Sequence, residues 1–202
     1  EPVVVRVGLP FEITDYRSAA APQTLLAELL ASGTTAVWFE GGTGAIVGQD
    51  RHALTPAADL IIWTAPPAPA ELRAAIARVQ PTRIYLVGQD PNLDQPEAFL
   101  RRLAGLVKHV VNARTGRTTL AALAAATAQT ETALRLGLEW LEAAGQLAVS
   151  ADGPHLLLAA GSGRPAADAT RAAIGSRLSA ALAESAVYRA HFRRAPAESL
   201  FR

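Results

Sequence analysis

The rhythm of hydrophobic positions changes about halfway along the chain. In the first half, uninterrupted apolar runs (Thr35 to Phe39, Leu60-Ile61-Ile62-Trp63 and Arg83-Ile84-Tyr85-Leu86-Val87) alternate with stretches whose large apolar residues recur every three or four positions. A run without alternation predicts a strand buried on both faces, and the longer spacing predicts an amphipathic helix. Val3 to Val7 is a further β-branched run, and Glu12 to Arg17 a strand end. Pro22 opens a helix with Leu25, Leu26, Leu29 and Leu30, closed by Gly33. Pro69 opens another with Leu72, Ile76 and Val79 on one face, and Phe99, Leu103, Leu106, Val107 and Val110 mark a third. Buried strands joined by helices predict an α/β lobe over residues 1–112, Rossmann-like, with a parallel sheet flanked by helices on both sides.

In the second half the pattern becomes mostly Ala/Leu helix. Thr118 or Thr119 can cap a short helix containing Leu120 and Leu123, and Thr130 with Glu131 opens a second in which Leu134, Leu138 and Leu141 share a face, ended by Gly145. Gln146 to Ser150 and His155 to Leu158 predict two strands around an Asp152-Gly153 turn. Helix, turn, helix and hairpin predict a winged-helix-like α+β unit over 113–160. After the loop Gly161-Ser162-Gly163-Arg164-Pro165, residues 161–202 form a C-terminal helical arm running toward Tyr188 and Phe192.

Composition sharpens this picture. The chain has 202 residues, half of them hydrophobic, enough for a substantial core. It has no Cys, which excludes thiol nucleophiles and Cys-held zinc, and no Met; with Glu1-Pro2 at the start, it reads as a piece of a longer protein. No apolar run reaches the length of a membrane span and no basic-then-apolar leader opens the chain, so a cytoplasmic location is expected. The net charge of +1 gives no global field for nucleic acid. Its two parts differ, however: residues 1–112 carry 9 basic and 11 acidic side chains, and 113–202 carry 10 and 7.

Motifs for catalysis are wanting. Gly41-Gly42-Thr43-Gly44 follows a strand, but no Lys-Ser/Thr pair succeeds it and the glycine spacing is wrong for a dinucleotide loop. With Ala45-Ile46-Val47 read as strand, a hairpin turn fits better. Asp90, Asn92 and Asp94 imitate the start of a calcium loop, but the next required glycine is Gln95 and the closing glutamate is Arg101. His52, His109, His155 and His191 are scattered, with no spacing that holds a metal. Asp15 and Asp50-Arg51 lie near strand ends, where a structural ion pair is the simpler reading. No catalytic residue and no metal ligand is assigned, and no cofactor is expected for this chain.

Two surfaces remain. The solvent face expected for the second helix of the winged-helix-like unit is Glu131, Arg135, Glu139 and Glu142, whose net negative charge would be repelled between phosphate rows. That unit therefore reads as structural or protein-binding, with Arg114 and Arg117 just before it able to touch a phosphate backbone. At the end of the chain Tyr188, Arg189, His191, Phe192, Arg193 and Arg194 mix rings with cations, suiting stacked single-stranded bases or an acidic, apolar peptide tail. The competing reading is a terminal helix that buries Tyr188 and Phe192 and hydrates its arginines.

Asp15-Tyr16-Arg17, Asp59-Leu60-Ile61-Ile62-Trp63-Thr64-Ala65-Pro66-Pro67 and Ser185-Ala186-Val187-Tyr188, in this order around a winged-helix-like segment, resemble the C-terminal domain of bacterial RecJ, the single-stranded-DNA-specific exonuclease of the DHH phosphoesterase family. The resemblance covers nearly the whole chain in element order. It implies a non-catalytic accessory domain of a DNA-repair and recombination exonuclease. The Asp-His-His core of the parent would bind Mn or Mg, and the accessory domain would engage the single-stranded-DNA-binding protein, with single-stranded DNA as a further ligand. Tyr188, Arg189, Phe192, Arg193 and Arg194 are candidates for the contact by residue chemistry; no family motif assigns them that role. The first half also resembles a helicase-type nucleotide-binding lobe, as architecture without ATPase motifs. The alternative is a DNA-binding transcription regulator with an α/β sensor lobe and a winged helix.

Overall fold

Leu60, Ile61, Ile62 and Trp63 lie in a strand, Asp59–Thr64, that is buried along its whole length, as an apolar run without alternation requires. In the computed structural model, which describes residues 3–5, 10–30, 35–42, 46–113 and 115–201, the chain is α/β. It forms two units, Glu1–Pro91 with Val187–Arg202, and Asn92–Ala186. The composition-based divisions after 112 and after 160 fall elsewhere. The helix that begins at Pro96 shares a core with the helices following it, and the last residues of the chain belong with the first unit.

The first unit contains β1 (Val3–Val5), β2 (Glu12–Asp15), α1 (Pro22–Leu30), β3 (Thr35–Trp38), β4 (Asp59–Thr64), α2 (Pro69–Val79) and β5 (Arg83–Gln89). The sheet order is β1-β2-β5-β4-β3. The four strands from β2 to β3 are parallel, whereas β1 runs antiparallel to β2 with Val3 opposite Asp15. The expectation of a wholly parallel sheet is corrected at β1, because a parallel crossover needs roughly a dozen residues or more and the link from Val5 to Glu12 is too short.

Alternate residues of the central strands serve opposite faces. Leu60, Ile62, Ile84 and Leu86 pack with Leu72, Ala75 and Val79 of α2, while Ile61, Trp63, Tyr85 and Val87 pack with Leu26 of α1. Helices thus cover both faces, as expected. Of the expected strand at Ala45-Ile46-Val47, Ile46 and Val47 are irregular, and Ala45, like Thr43, Gly44 and Gly33, lies outside the described residues. Gln49 makes a parallel bridge to Trp38, its N–H donating to the Val37 carbonyl at 2.8 Å, while the turn expected at Gly41-Gly42-Thr43-Gly44 falls partly outside the described residues.

The second unit contains α3 (Pro96–Ala113), β6 (Arg117–Thr118), α4 (Leu120–Ala126), α5 (Glu131–Ala143), β7 (Leu147–Asp152), β8 (His155–Ala160) and the first part of α6 (Asp168–Arg194). β6, β8 and β7 form an antiparallel sheet in that order. Thr119 and Thr130 are the helix caps, their hydroxyls accepting from the N–H groups of Ala122 (3.1 Å) and Ala133 (3.2 Å). Asp152 pairs with His155, so the hairpin turn is Gly153-Pro154, one residue later than Asp152-Gly153. Gly153 has φ of 59°, which glycine adopts without strain, and the proline follows where its fixed φ is tolerated.

Phe99, Leu103, Val107, Leu134, Leu138, Leu158, Leu178 and Leu182 belong to one core. Gly137 lets α5 approach α3: a Cβ there would lie 2.6 Å from the Phe99 ring and 2.8 Å from Leu103. Along α6 the buried positions Ile174, Leu178, Leu182, Ser185, Arg189 and Phe192 repeat every three or four residues. Leu178 and Leu182 join the core of the second unit, and Phe192 that of the first. A 3-10 turn, Ala197–Phe201, ends the described chain, and no described helix is long and apolar enough to cross a membrane.

Candidate functional site

Parallel α/β sheets place their working groups beyond the carboxyl ends of the strands. In the first unit this end carries Asp15-Tyr16-Arg17 after β2, Glu40 after β3, Ala65 after β4 and Asp90 after β5. Arg17 grips Asp15 with two bonds, Nε to Oδ1 at 2.9 Å and NH2 to Oδ2 at 2.6 Å. The same guanidinium donates to the Phe192 carbonyl and, at 2.8 Å, to the Ala195 carbonyl. These are carbonyls at the end of α6, which have no partner within the helix, so Arg17 caps α6 from the sheet. Burial pushes the Asp15 carboxyl upward, but the hydrogen bonds and charge of Arg17 outweigh it and hold the group below its ordinary value.

Arg51 does the same for Glu40, with Nε to Oε1 at 2.9 Å, NH2 to Oε2 at 2.5 Å and its backbone N–H to Oε1 at 2.8 Å. The Glu40 side chain is 1% exposed and that of Arg51 9%. The Glu40 backbone is held too, because Thr64 Oγ1 accepts from its N–H and donates to its carbonyl, both at 3.0 Å. Asp50 is not the partner of Arg51; its carboxylate accepts from the N–H groups of His52 (2.8 Å) and Ala53 (3.0 Å). Glu71, in the first turn of α2, stands 3.7 Å from Arg51 NH1.

The sequence-predicted contact residues separate into distinct environments. Arg114 lies outside the described residues. Arg117, in β6 of the second unit, is exposed and 3.4 Å from Asp152. Phe192 is fully buried in the first unit, against Gly88. Arg189, 1% exposed, donates Nε to the Ala65 carbonyl at 3.0 Å. Tyr188 is half-buried, its ring 6.4 Å from Phe192 and 6.3 Å from His191. Desolvation pushes its phenol up to about 12, with Glu71 adding to the shift and Arg73 opposing it. Arg193 and Arg194 are exposed, and Arg193 reaches Asp90 at 3.3 Å. Phe192 and Arg189 are therefore interior residues of this unit, whereas His191, Arg193 and Arg194 are exposed beside the half-buried Tyr188.

The sequence placed Asp15 and Arg51 near strand ends but gave no sign that Arg51 would pair with Glu40 or that Arg17, the partner of Asp15, would also donate to carbonyls at the end of α6. The missing signal is long-range, since Phe192 and Ala195 are distant in sequence from Arg17. Among the described residues no three His, Asp or Glu side chains are grouped to hold a metal ion. The arrangement is a set of charge-assisted clamps. Comparison with protein-family models, curated proteins and solved structures finds no match to this chain.

Proposed function

We propose that the chain is a non-catalytic accessory domain of a RecJ-like single-stranded-DNA exonuclease, with a Rossmann-like, helicase-lobe-like first unit and a winged-helix second unit, acting as a docking module in DNA repair. The observation that carries this reading is the linkage among the stretches on which the resemblance rests: Arg17 of Asp15-Tyr16-Arg17 caps α6, and Arg189, directly after Ser185-Ala186-Val187-Tyr188, bonds to Ala65 of the β4 stretch. Residues that share a structural task are the kind that a domain family retains together. The order α3-β6-α4-α5-β7-β8 with sheet order β6-β8-β7 supports the winged-helix assignment, which then begins at α3.

Catalysis and its Mn or Mg belong, on this reading, to the parent's core; among the described residues no group of three His, Asp or Glu side chains could hold a metal ion. The docking partner is the acidic, apolar tail of the single-stranded-DNA-binding protein, met by Arg193, Arg194 and the edge of Tyr188, with single-stranded DNA as a further ligand and a cytoplasmic location. The alternative, a winged-helix transcription regulator, is opposed by the exposed Glu131, Glu139 and Glu142 on α5. Titrating the chain with labelled single strand, duplex and an acidic tail peptide at two salt concentrations tests the reading. Tail binding that weakens with Arg193→Glu and Arg194→Glu is expected. Duplex binding that survives moderate salt and exceeds both other ligands would overturn it.

A further inference from the structure

Within the second unit, the exposed face of α5 and the β7–β8 hairpin enclose an open groove of about 420 Å³. Leu138, Val149 and Leu156 give its lining an apolar part, and α5 adds Arg135, Glu139 and Glu142. We propose that this groove docks a segment of a partner protein that presents an apolar side chain next to Lys or Arg. This goes beyond the docking reading above: it concerns a different surface and the opposite charge.

The apolar lining calls for aliphatic side chains, and a groove of this size lies within the roughly 300–1,000 Å³ of ligand pockets. The sign of the occupant follows from the charged lining residues. Arg135, the arginine among the lining residues, is 3.5 Å from Glu131 one turn back, and Glu139 is 3.4 Å from Arg177 of α6. Both pairs are exposed, so each is weak and open to exchange with a partner's cation. Among the lining residues the carboxylates of Glu139 and Glu142 outnumber the one guanidinium, Arg135, and Asp152 nearby is 3.4 Å from Arg117 of β6. A phosphate or a carboxylate tail entering the groove meets Glu139 and Glu142, whereas Lys or Arg relieves them. Recognition runs through side chains. β7 is one of the two edge strands of its sheet, but the Val149 N–H, where an added strand would bond, already donates to Glu142 Oε1 at 3.2 Å.

The test is fluorescence anisotropy on the full chain with four labelled probes: a short Leu/Lys peptide, its Leu/Glu counterpart, a single strand and a duplex. The Leu/Lys peptide is expected to bind, to weaken about tenfold or more with Glu139→Lys and with Leu156→Glu, and to weaken less with Glu139→Gln. Unchanged thermal unfolding of Glu139→Gln separates a lost contact from a lost fold. Failure of the Leu/Lys peptide to bind, equal or tighter binding of the Leu/Glu peptide or a nucleic acid, indifference to both Glu139→Lys and Leu156→Glu, or occupation of the groove by a second copy of the chain would each overturn the proposal. An acidic tail that binds and responds only to Arg193→Glu and Arg194→Glu belongs to the other surface, so the two readings can fail separately.

Discussion

Glu40 and Arg51 show how a single side chain becomes indispensable. The carboxylate is almost completely out of water, and three donors of Arg51 make that tolerable. Arg51→Ala leaves the charge buried without its partner, at a cost of about 3–5 kcal/mol. Urea unfolding should show that loss, and adding Glu40→Gln should recover part of it, because the stranded charge is then removed. Tyr188 offers a spectroscopic counterpart. Its phenol titrates near 12, so the stability it confers is complete below the ordinary value of 10 and is lost as pH rises from there through 12. Ultraviolet titration of the three tyrosines should show a late phase that disappears in Tyr188→Phe; Tyr85, also raised by burial, remains as an internal comparison.

For the elements, glycine position decides the sign of a substitution. In α5, Gly137→Ala drives a methyl into Phe99 and Leu103, both fully buried and unable to swing aside. The overpacking costs about 1–3 kcal/mol against a helix-propensity gain of about 1, so the variant should be less stable. In α3, a Cβ at Gly105 meets nothing within 4 Å, and Gly105→Ala should stabilise by about 0.5–1 kcal/mol. Paired thermal denaturation of the two variants should therefore give shifts of opposite sign. The same elements explain which sequence signals were dependable. Apolar runs at β4 and β5 and leucine spacing in α3 and α5 report burial that each element needs wherever it packs. Ile46-Val47 carried a similar local signal, but edge pairing at β3 was taken by Gln49 instead.

Taken as a whole molecule, the chain returns at its end to the unit in which it began. Phe192 enters that core, Arg189 bonds to Ala65, and the Asp15–Arg17 pair holds the last carbonyls of α6. The folded Asp15 carboxyl lies below its ordinary value of 3.8, so its contribution is present above that pH and is lost as pH falls through the depressed value. Hydrogen exchange at amides near the end of α6 should accelerate on acidification below pH 3.8, and Asp15→Asn should show the acceleration already at neutral pH. If acid opens the unit everywhere at once, the pair is not the local clamp described.

The sequence by itself determined the α/β class, the central strands and the Thr130 cap of α5. These depend on local periodicity and on residue identities that no packing can alter. It also exposed the acidic face of α5, because helical spacing alone puts Glu131, Arg135, Glu139 and Glu142 together. Only the tertiary structure decided that Phe192 and Arg189 are interior rather than presented for contact, that Arg51 answers to Glu40, and that α3 belongs with the helices after it. The physical reason is common to all three. An aromatic among arginines is equally compatible with a surface and a core, and what selects between them is the partner brought by the fold: a carbonyl at Ala65, a carboxylate at Glu40, a leucine face on α5.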